Sequence, residues 1–282
     1  MYLKYYNLQC APFGVTPDPR FLYLSPDHKE ALGALVYGVR ERKGFISIIG
    51  EVGTGKTTVL KAFLENIDSK KFTGIYIFNS LASFDLILQE IRPGPPEYKP
   101  NGRVKAVQEW LLSEYAKGRK VVLIIDDAHR MAVDTLEQLR LLSNLETTKH
   151  KLLQIVLAGQ PELDVMLERQ DLRHLKQRIA VRATLGPLSK LDSVRYIEHR
   201  LAKASGNAEQ IFAKSALRQL IDSAKGNPRM LNILCDNALL AGYGYQKKRI
   251  SAKIANEVIA DFAGPEQQRA PTWKDTLRAA IR

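Results

Sequence analysis

The hydrophobic positions in the first two thirds of the chain follow two different periods. Short runs of β-branched and aliphatic residues indicate buried strands at residues 45–49, 74–78, 121–125, 153–158 and 179–185. Apolar residues at helical spacing indicate a helix that starts near Ser25 or Asp27, and helices at residues 58–67, 84–91, 104–116, 133–145 and 162–177. Because helices separate the strands, the pattern predicts an α/β fold whose parallel sheet is flanked by helices on both faces.

After Gly186-Pro187 the strand period disappears and only helical spacing remains. The predicted helices of this part are residues 189–205, 213–225, 228–243 and 251–262. Two start signals support them: Asn227 followed by proline opens the third helix, and Ser251 is the predicted N-cap of the last. Between the second and third predicted strands, residues 92–102 carry four prolines and two glycines, which predicts a loop.

Composition narrows the class of protein without deciding its function. The chain has 282 residues, and 45% of them are hydrophobic, which is ordinary for a globular protein. No apolar run reaches the roughly 18 residues that a membrane-spanning helix needs, and the first residues lack the layout of a secretory signal. Cys10 and Cys235 lie far apart without metal-site spacing, which favours reduced structural thiols and a cytoplasmic location.

The formal net charge of +12 favours partners that carry phosphate or other negative groups. Three interpretations of this charge remain open. The basic residues form a solvated face, a surface that binds nucleic acid, or a surface that binds anionic lipid or another acidic partner.

One short segment carries most of the chemical information. Residues 50–57 have the sequence GEVGTGKT, the phosphate-loop pattern G-x-x-x-x-G-K-T, and lie between a predicted strand and a predicted helix. The glycines let backbone N–H groups turn toward one phosphate chain, Lys56 reaches its terminal phosphates, and the Thr57 hydroxyl binds Mg²⁺. The residues predicted to bind nucleotide are Gly50, Glu51, Val52, Gly53, Thr54, Gly55, Lys56, Thr57 and Thr58.

Two carboxylates follow the predicted strand at residues 121–125. Asp126 is predicted to lie at the end of that strand beside the phosphate loop and, with Thr57, to hold Mg²⁺ directly or through water. Asp127 is predicted to orient and polarise the attacking water. His129 either bonds these carboxylates or is a partly exposed histidine of the loop.

Further polar residues are candidates for contacts with a γ-phosphate. Gln160 follows the strand at residues 153–158, where its amide would sense the phosphate and position water. Arg178 precedes the last strand and is the first candidate for an arginine finger offered to a neighbouring subunit, with Arg173 second. Arg229, in the first turn of a later helix, would couple the helical part to the nucleotide state.

Together these motifs resemble an AAA+ ATPase, and four blocks of sequence resemble the ExeA/GspA family in particular. The blocks are FGVTPDPRFLY at residues 13–23, GEVGTGKTT at 50–58, GQPEL at 159–163 and GNPRMLNILC at 226–235. The resemblance implies a P-loop AAA+ core followed by a small all-helical lid, with ATP and Mg²⁺ as cofactors. It also implies that Phe21, Leu22 and Tyr23 contact the adenine. Most related ATPases have glutamate in place of Asp127, which leaves the hydrolysis rate open.

The expected organisation therefore has four parts. Residues 1–43 are an N-terminal segment that packs on the nucleotide site, 44–186 the P-loop α/β ATPase domain, 187–264 the helical lid, and 265–282 a polar tail.

Two functions follow from the resemblance. Secretion members of the family assist assembly of an outer-membrane secretin, which implies a homo-oligomeric ATPase that drives assembly of a secretion or export partner. Related transposition ATPases select DNA targets, which implies the alternative of an ATPase that binds duplex DNA. A scaffold with little turnover is a third hypothesis, motivated by Asp127. The chain is expected to be either the cytoplasmic part of a longer membrane-anchored protein or a stand-alone member.

Overall fold

The computed structural model describes residues 2–78, 81–92 and 100–263, except for the side chains of residues 100, 101 and 263. Internal contacts divide the chain into two compact units. The α/β unit comprises Pro26–Val52 and Lys56–Gly186. The helical unit comprises the described residues up to Ser25, the three residues Gly53–Gly55, and the described residues from Pro187 onward. Each unit is built around a core of its own.

Helices and strands alternate through the α/β unit, and helices alone build the rest. The helices are α1 Tyr2–Tyr5, α2 Pro26–Arg40, α3 Lys56–Asn66, α4 Phe84–Ile91, α5 Pro100–Ala116, α6 Val133–Leu142, α7 Pro161–Leu167, α8 Arg173–Lys176, α9 Lys190–Lys203, α10 Ala208–Ile211, α11 Lys214–Ala224, α12 Pro228–Gly244 and α13 Ala252–Ala263. The strands are β1 Phe45–Gly50, β2 Phe72–Ile77, β3 Lys120–Ile125, β4 Leu153–Gly159 and β5 Ile179–Leu185. Short 3-10 turns lie at Pro19–Phe21, Ala128–Arg130 and Gln170–Leu172.

The five strands form one sheet in the order β2-β3-β4-β1-β5, and all neighbours are parallel. Every residue of the central strands β1 and β4 is buried. Parallel strands bring their carboxyl ends to the same edge of a sheet. The chain that follows β1, β3 and β4 therefore brings the phosphate loop, Asp126 and Gln160 to one edge.

Alternating residues of β1 show that helices cover both faces of this sheet. Phe45 and Ile49 belong to a core that includes residues of α4, α5, α6 and α7. Ile46, the residue after Phe45, points to the opposite face of the sheet, toward α2. A Cβ added at Gly38 of α2 would come within 2.5 Å of the Ile46 side chain. Gly38 therefore allows α2 to approach the sheet closely. The predicted α/β fold with a parallel sheet between two helical layers is confirmed.

The predicted strands and most predicted helices are also present, with small changes at their ends. The bounds of α4 and β5 are those predicted from the sequence. The helix predicted at residues 133–145 ends earlier, at Leu142. The Ser143 hydroxyl donates a hydrogen bond to the Arg140 carbonyl at 2.6 Å, and this competing bond closes the last turn.

Two predictions on regular structure are wrong in part. The single helix expected at residues 162–177 is divided into α7, a 3-10 turn and α8, because Arg169 has an extended backbone (φ −60°, ψ 147°) that no helix continues through. The loop expected at residues 92–102 instead becomes α5 from Pro100 onward, since proline suits the first turn of a helix. The rest of that loop, residues 93–99, and the predicted tail at 265–282 lie outside the described residues.

The helical unit buries the faces of α9, α11, α12 and α13 against one another. Its short helix α10 was not predicted, since four residues are too few to show a period. Asn207 caps it by accepting hydrogen bonds from the backbone N–H groups of Glu209 (2.9 Å) and Gln210 (3.2 Å). The N-terminal residues join the same core: the Phe13 ring meets the Phe212 ring edge-on, with centroids 6.5 Å apart.

A buried arginine of α9 ties this N-terminal segment to the helical unit. Arg200 is 7% exposed and donates hydrogen bonds to the backbone carbonyls of Pro12 (2.5 Å) and Gly14 (3.2 Å). A third bond reaches the Tyr196 hydroxyl at 3.1 Å, and the guanidinium lies 4.8 Å from the centre of the Phe21 ring. A guanidinium suits this position because it offers several donors in one plane and stacks on aromatic rings.

We expect Arg200→Leu to lower the free energy of unfolding of the helical unit by about 3 kcal/mol, because it leaves the carbonyl of the buried Pro12 without its guanidinium donor and removes the contacts with Tyr196 and Phe21. Denaturant unfolding followed by circular dichroism measures the change. Lys203→Leu, an exposed change of a cation to leucine on the same helix, is the control and should alter stability by less than about 0.5 kcal/mol. Equal stability of the two variants would show that Arg200 does not hold the N-terminal segment.

Candidate functional site

The phosphate loop turns through two glycines between β1 and α3. Gly53 has φ of 82° and Gly55 φ of 102°, which are left-handed conformations that other residues adopt only under strain. Gly53 is also closely packed, since a Cβ added there would come within 2.6 Å of Asn227 Oδ1 and 2.7 Å of Arg229 Cβ in the helical unit. Both glycines of the sequence pattern are therefore required by the backbone itself.

Lys56, the first residue of α3, folds its ammonium back over this loop. Its Nζ donates to the carbonyl oxygens of Gly50 at 2.6 Å and Glu51 at 3.0 Å, and only 7% of the residue is exposed. Burial lowers the pKa of Lys56, while the negative charges of Asp126 and other nearby carboxylates act in the opposite direction. The Lys56 ammonium is therefore held against the loop backbone, at the place where a phosphate chain would also bind.

Asp126, directly after β3, is the most strongly bonded carboxylate of the site and is 8% exposed. Its Oδ2 accepts hydrogen bonds from the Thr57 hydroxyl at 2.6 Å and the Tyr76 hydroxyl at 2.7 Å. Its Oδ1 accepts from the backbone N–H of Asp127 at 3.0 Å. The sequence prediction that Asp126 lies beside the loop and near Thr57 agrees with this geometry, whereas their role as metal ligands stays a prediction.

Tyr76 was not identified from the sequence. It lies on β2, opposite Ile124 of the neighbouring strand, and is therefore on the same face as Asp126, two residues further along. Burial and the charge of Asp126 raise the pKa of the Tyr76 hydroxyl, so it stays protonated and donates. Alternation along β2 could have indicated this contact, but only if the pairing of β2 with β3 had been known.

Asp127 differs from Asp126 in both backbone and exposure. Its φ of 52° and ψ of 35° place it in the left-handed region, at the start of the turn Ala128–Arg130. Such a conformation is uncommon for a residue other than glycine, although aspartate tolerates it better than most. The residue is exposed, so its carboxylate lies at the surface of the site, where a water-orienting group is needed.

His129 and Gln160 form a pair that neither predicted role for His129 included. The backbone N–H of Gln160 donates to His129 Nδ1 at 3.4 Å, and the Gln160 side-chain amide lies 2.9 Å from His129 Nε2. The atom of the Gln160 side chain that lies at this distance is the amide nitrogen Nε2, and which of the two groups donates depends on the tautomer of the ring. Gln160 is thus positioned after β4, as predicted, and its side chain is held by histidine.

The arginine candidates lie at different places. Arg178 donates from Nη1 to Ser143 Oγ at 2.8 Å and to Asn144 Oδ1, in the turn after α6. Arg173 is exposed at the start of α8. Within the helical unit, the Arg229 side chain is exposed while its backbone N–H donates to Asn227 Oδ1 (3.0 Å) and to the Gly53 carbonyl (3.3 Å).

The three residues suggested for adenine contact belong to the helical unit. Phe21 is buried under the Arg200 guanidinium, and Leu22 is half-buried. The Tyr23 hydroxyl donates to Asp192 Oδ1 at 2.9 Å, and burial raises its pKa. Their contact with adenine stays a prediction, as do the packing of residues 1–43 on the nucleotide site and the predicted domain bounds.

These features fit a phosphate chain with Mg²⁺. Two positive-φ glycines, a buried lysine and a threonine–aspartate pair provide the donors, the charge and the hard oxygen atoms that such a ligand requires. Over the described residues, no group of three or more histidine, cysteine, aspartate or glutamate side chains could hold a metal alone. Mg²⁺ would therefore bind through a few protein oxygens together with phosphate oxygens, which is its usual mode.

Comparison with known proteins agrees with this geometry. Residues 39–167 match a protein family described as an AAA domain. Over 285 aligned residues the chain is 36% identical to general secretion pathway protein A of Aeromonas hydrophila. The alignment covers 100% of this chain and 52% of that protein. The chain therefore contains an AAA domain of the P-loop type. The prediction of an ATP-hydrolysing P-loop enzyme is confirmed at the level of this family, and the chain spans about half the length of its curated relative.

Solved structures support the AAA+ fold at low sequence identity. The Aeropyrum pernix ORC2 protein, in ADPNP–ADP complexes, superposes with a TM-score of 0.64 at 15% identity, covering 90% of this chain and 73% of that one. The Aeropyrum pernix ORC1 protein in complex with DNA has a TM-score of 0.66 at 14% identity, covering 89% and 69%. These likenesses establish the fold alone. In the part of this AAA+ chain that the structure describes, no helix is both long and apolar enough to span a membrane.

We expect Gly53→Ala to weaken nucleotide binding by at least about 10-fold, because a Cβ would strain the left-handed backbone and overlap Asn227 and Arg229. Titration of a fluorescent ATP analogue measures the dissociation constant. Gly33→Ala is the matched control, since nothing lies within 4 Å of a Cβ added there on α2. The control should bind like the wild type and gain up to about 1 kcal/mol of stability. Unchanged affinity in a folded Gly53→Ala would contradict the close packing of this loop.

Proposed function

We propose that this AAA+ protein binds and hydrolyses ATP with Mg²⁺ at the interfaces of a homo-oligomer, and that the cycle drives assembly of a partner complex in secretion or export. The observation that carries the nucleotide part is the arrangement of Lys56, Thr57 and Asp126 at the carboxyl edge of the sheet. The 36% identity to a general secretion pathway protein supports the pathway, although only half of that protein's length is represented.

Each residue has a distinct part in the proposed reaction. The loop N–H groups and Lys56 neutralise the phosphate chain, which lowers the energy of the charge that develops during phosphoryl transfer. Thr57 and Asp126 hold Mg²⁺, and the ion, when bound, further withdraws negative charge from the phosphate oxygens. Asp127, exposed beside them, accepts a hydrogen bond from the attacking water and orients it.

Gln160 is proposed to sense the γ-phosphate. Its side chain is held by His129 on the turn Ala128–Arg130, which begins right after Asp127. A change at the Gln160 amide is therefore transmitted through one histidine to the segment that carries the water-orienting carboxylate. This contact supports a coupling between the phosphate-sensing residue, Gln160, and the water-orienting residue, Asp127.

The proposed oligomer supplies an arginine to the site of a neighbouring subunit. Arg178 is the first candidate, since its guanidinium is held away from the Asp126 cluster by Ser143 and Asn144 in the turn after α6. In the proposed oligomer this arginine stabilises the charge that develops on the phosphate bound by the neighbouring subunit. Arg229 is proposed to report the nucleotide state to the helical unit through the helix that it opens.

Duplex DNA remains the alternative partner. The net charge of +12 and the AAA+ fold shared with an ORC1 protein in complex with DNA motivate it, but neither identifies a DNA-binding residue. Affinity for duplex DNA that falls steeply with added salt, in the presence of ATP, would favour this alternative. Absence of binding at low salt would leave the secretion partner.

We expect Lys56→Ala to abolish ATP binding, because it removes the buried cation of the loop, and Asp127→Asn to keep ATP binding while turnover falls at least about 100-fold. Titration of a fluorescent ATP analogue and a phosphate-release assay separate the two effects. Asp134→Asn, an acid-to-amide change in the first turn of α6, is the control for the amide substitution and should hydrolyse ATP like the wild type. Normal hydrolysis by Asp127→Asn would show that another group positions the water.

For wild-type protein we expect hydrolysis per subunit to rise with protein concentration, since the finger comes from a second copy. Arg178→Ala should bind ATP normally and lose this rise, because one arginine finger contributes on the order of 10³-fold in rate. Phosphate release measured over a series of protein concentrations tests it. Arg173→Ala is the comparison: if it alone loses the rise, the finger is Arg173, and if neither variant does, the proposed in-trans site is wrong.

A further inference from the structure

We propose that Tyr76 is a positioning residue for the magnesium site, and that its hydroxyl holds the Asp126 carboxylate in the orientation in which it accepts Mg²⁺ or a magnesium-bound water. The inference rests on the proposed function, because it assumes that Mg²⁺ enters with ATP at the phosphate loop. It assigns to β2, an edge strand outside the recognised motifs, a direct influence on the metal.

The argument begins with the donors around Asp126, which come from three separate segments. Thr57 donates from the start of α3, Tyr76 from β2, and the Asp127 N–H from the turn that follows β3. A carboxylate with one donor can rotate about its Cβ–Cγ bond, because that torsion has a broad energy profile. Two donors to Oδ2 and one to Oδ1 together fix the plane of the carboxylate.

The two hydroxyl donors are not equivalent. A hydroxyl that donates its proton still has two lone pairs, so Thr57 can bond Asp126 and offer its oxygen to a cation at the same time. Thr57 is thus expected to serve the metal directly. The Tyr76 hydroxyl donates to Oδ2 of the same carboxylate at 2.7 Å and also lies in hydrogen-bond contact with Thr57, so we assign it the role of holding these two groups. When Thr57 and Asp126 bind Mg²⁺, the Tyr76 hydroxyl continues to donate to Oδ2 and keeps the carboxylate in its orientation.

Ring packing and strand pairing hold Tyr76 in place. Its ring lies against Phe78, with centroids 4.4 Å apart and planes at 40°, and its strand pairs with β3 along the full length of β2. A phenol anchored in this way has little freedom to leave the carboxylate. Outer groups that hold a metal ligand through a hydrogen bond often change metal affinity by about 10- to 100-fold when they are removed.

A purely structural role makes a different prediction from a positioning role. If Tyr76 only stabilises β2, its loss lowers the melting temperature and weakens every form of nucleotide binding equally. If it positions Asp126, its loss weakens only the part of nucleotide binding that depends on Mg²⁺. Binding of ATP without the ion uses the loop N–H groups and Lys56, which Tyr76 does not contact.

The test is Tyr76→Phe, which keeps the ring against Phe78 and removes only the hydroxyl. A fluorescent ATP analogue is titrated in EDTA and then at a series of Mg²⁺ concentrations, with binding rather than turnover as the readout. We expect the affinity in EDTA to stay within about two-fold of wild type, and the half-saturating Mg²⁺ concentration to rise on the order of 10-fold. The melting temperature of the nucleotide-free protein should fall by only a few degrees, since a single hydroxyl group is lost and the ring stays in place.

Tyr115→Phe is the matched control, because its hydroxyl makes a side-chain hydrogen bond to His150 Nδ1 at 2.9 Å, and because Tyr115 precedes the amino end of β3 whereas Asp126 follows its carboxyl end. It should leave the Mg²⁺ curve unchanged. An unchanged Mg²⁺ curve for Tyr76→Phe, or equal losses in EDTA and in Mg²⁺, would overturn the positioning role while wild-type binding still supports the proposed function. Wild-type protein whose ATP affinity does not respond to Mg²⁺ would overturn both.

Discussion

The buried carboxylate of Asp126 is the constraint on which the rest of the site depends. A charged group that is only 8% exposed is stable only when it is hydrogen-bonded, and its donors come from α3, β2 and the turn after β3. These contacts require the start of α3 and two neighbouring strands to be in register at one edge of the sheet. The same requirement sets the position of the phosphate loop, because Thr57 follows Lys56 directly.

The backbone around this carboxylate limits which residues the site can hold. Gly53 and Gly55 have left-handed conformations, and Asp127 has one despite its side chain. Each of these conformations is unfavourable for an ordinary residue and is kept by the contacts around it. The helical unit has a comparable centre in Arg200, whose guanidinium bonds two carbonyls of the N-terminal segment. In both units one buried charged group organises segments that are distant in sequence.

Much of the α/β fold could be predicted because its local signals agree with its tertiary structure. The strand at Val121–Ile125 is apolar throughout since it is covered on both faces, and the phosphate-loop pattern includes its glycines because the backbone needs them. Errors arose where a local hydrogen bond or an extended residue interrupts a helical period, as at Ser143 and at Arg169 respectively. The short α10 and the helical start at Pro100 were missed because a few residues show no period, and because proline marks both loops and helix starts.

The sequence by itself determined the class of fold, the phosphate loop and the acids after β3, since each of these depends on residue type and on spacing along one continuous segment. Tertiary structure alone decided the strand order β2-β3-β4-β1-β5, and with it the contact of Tyr76 with Asp126 and the pairing of His129 with Gln160. The physical reason is that a hydrogen bond between side chains 50 or 31 positions apart depends on how strands are arranged in the sheet. Periodicity tells which face a residue occupies, but not which strand lies next to it.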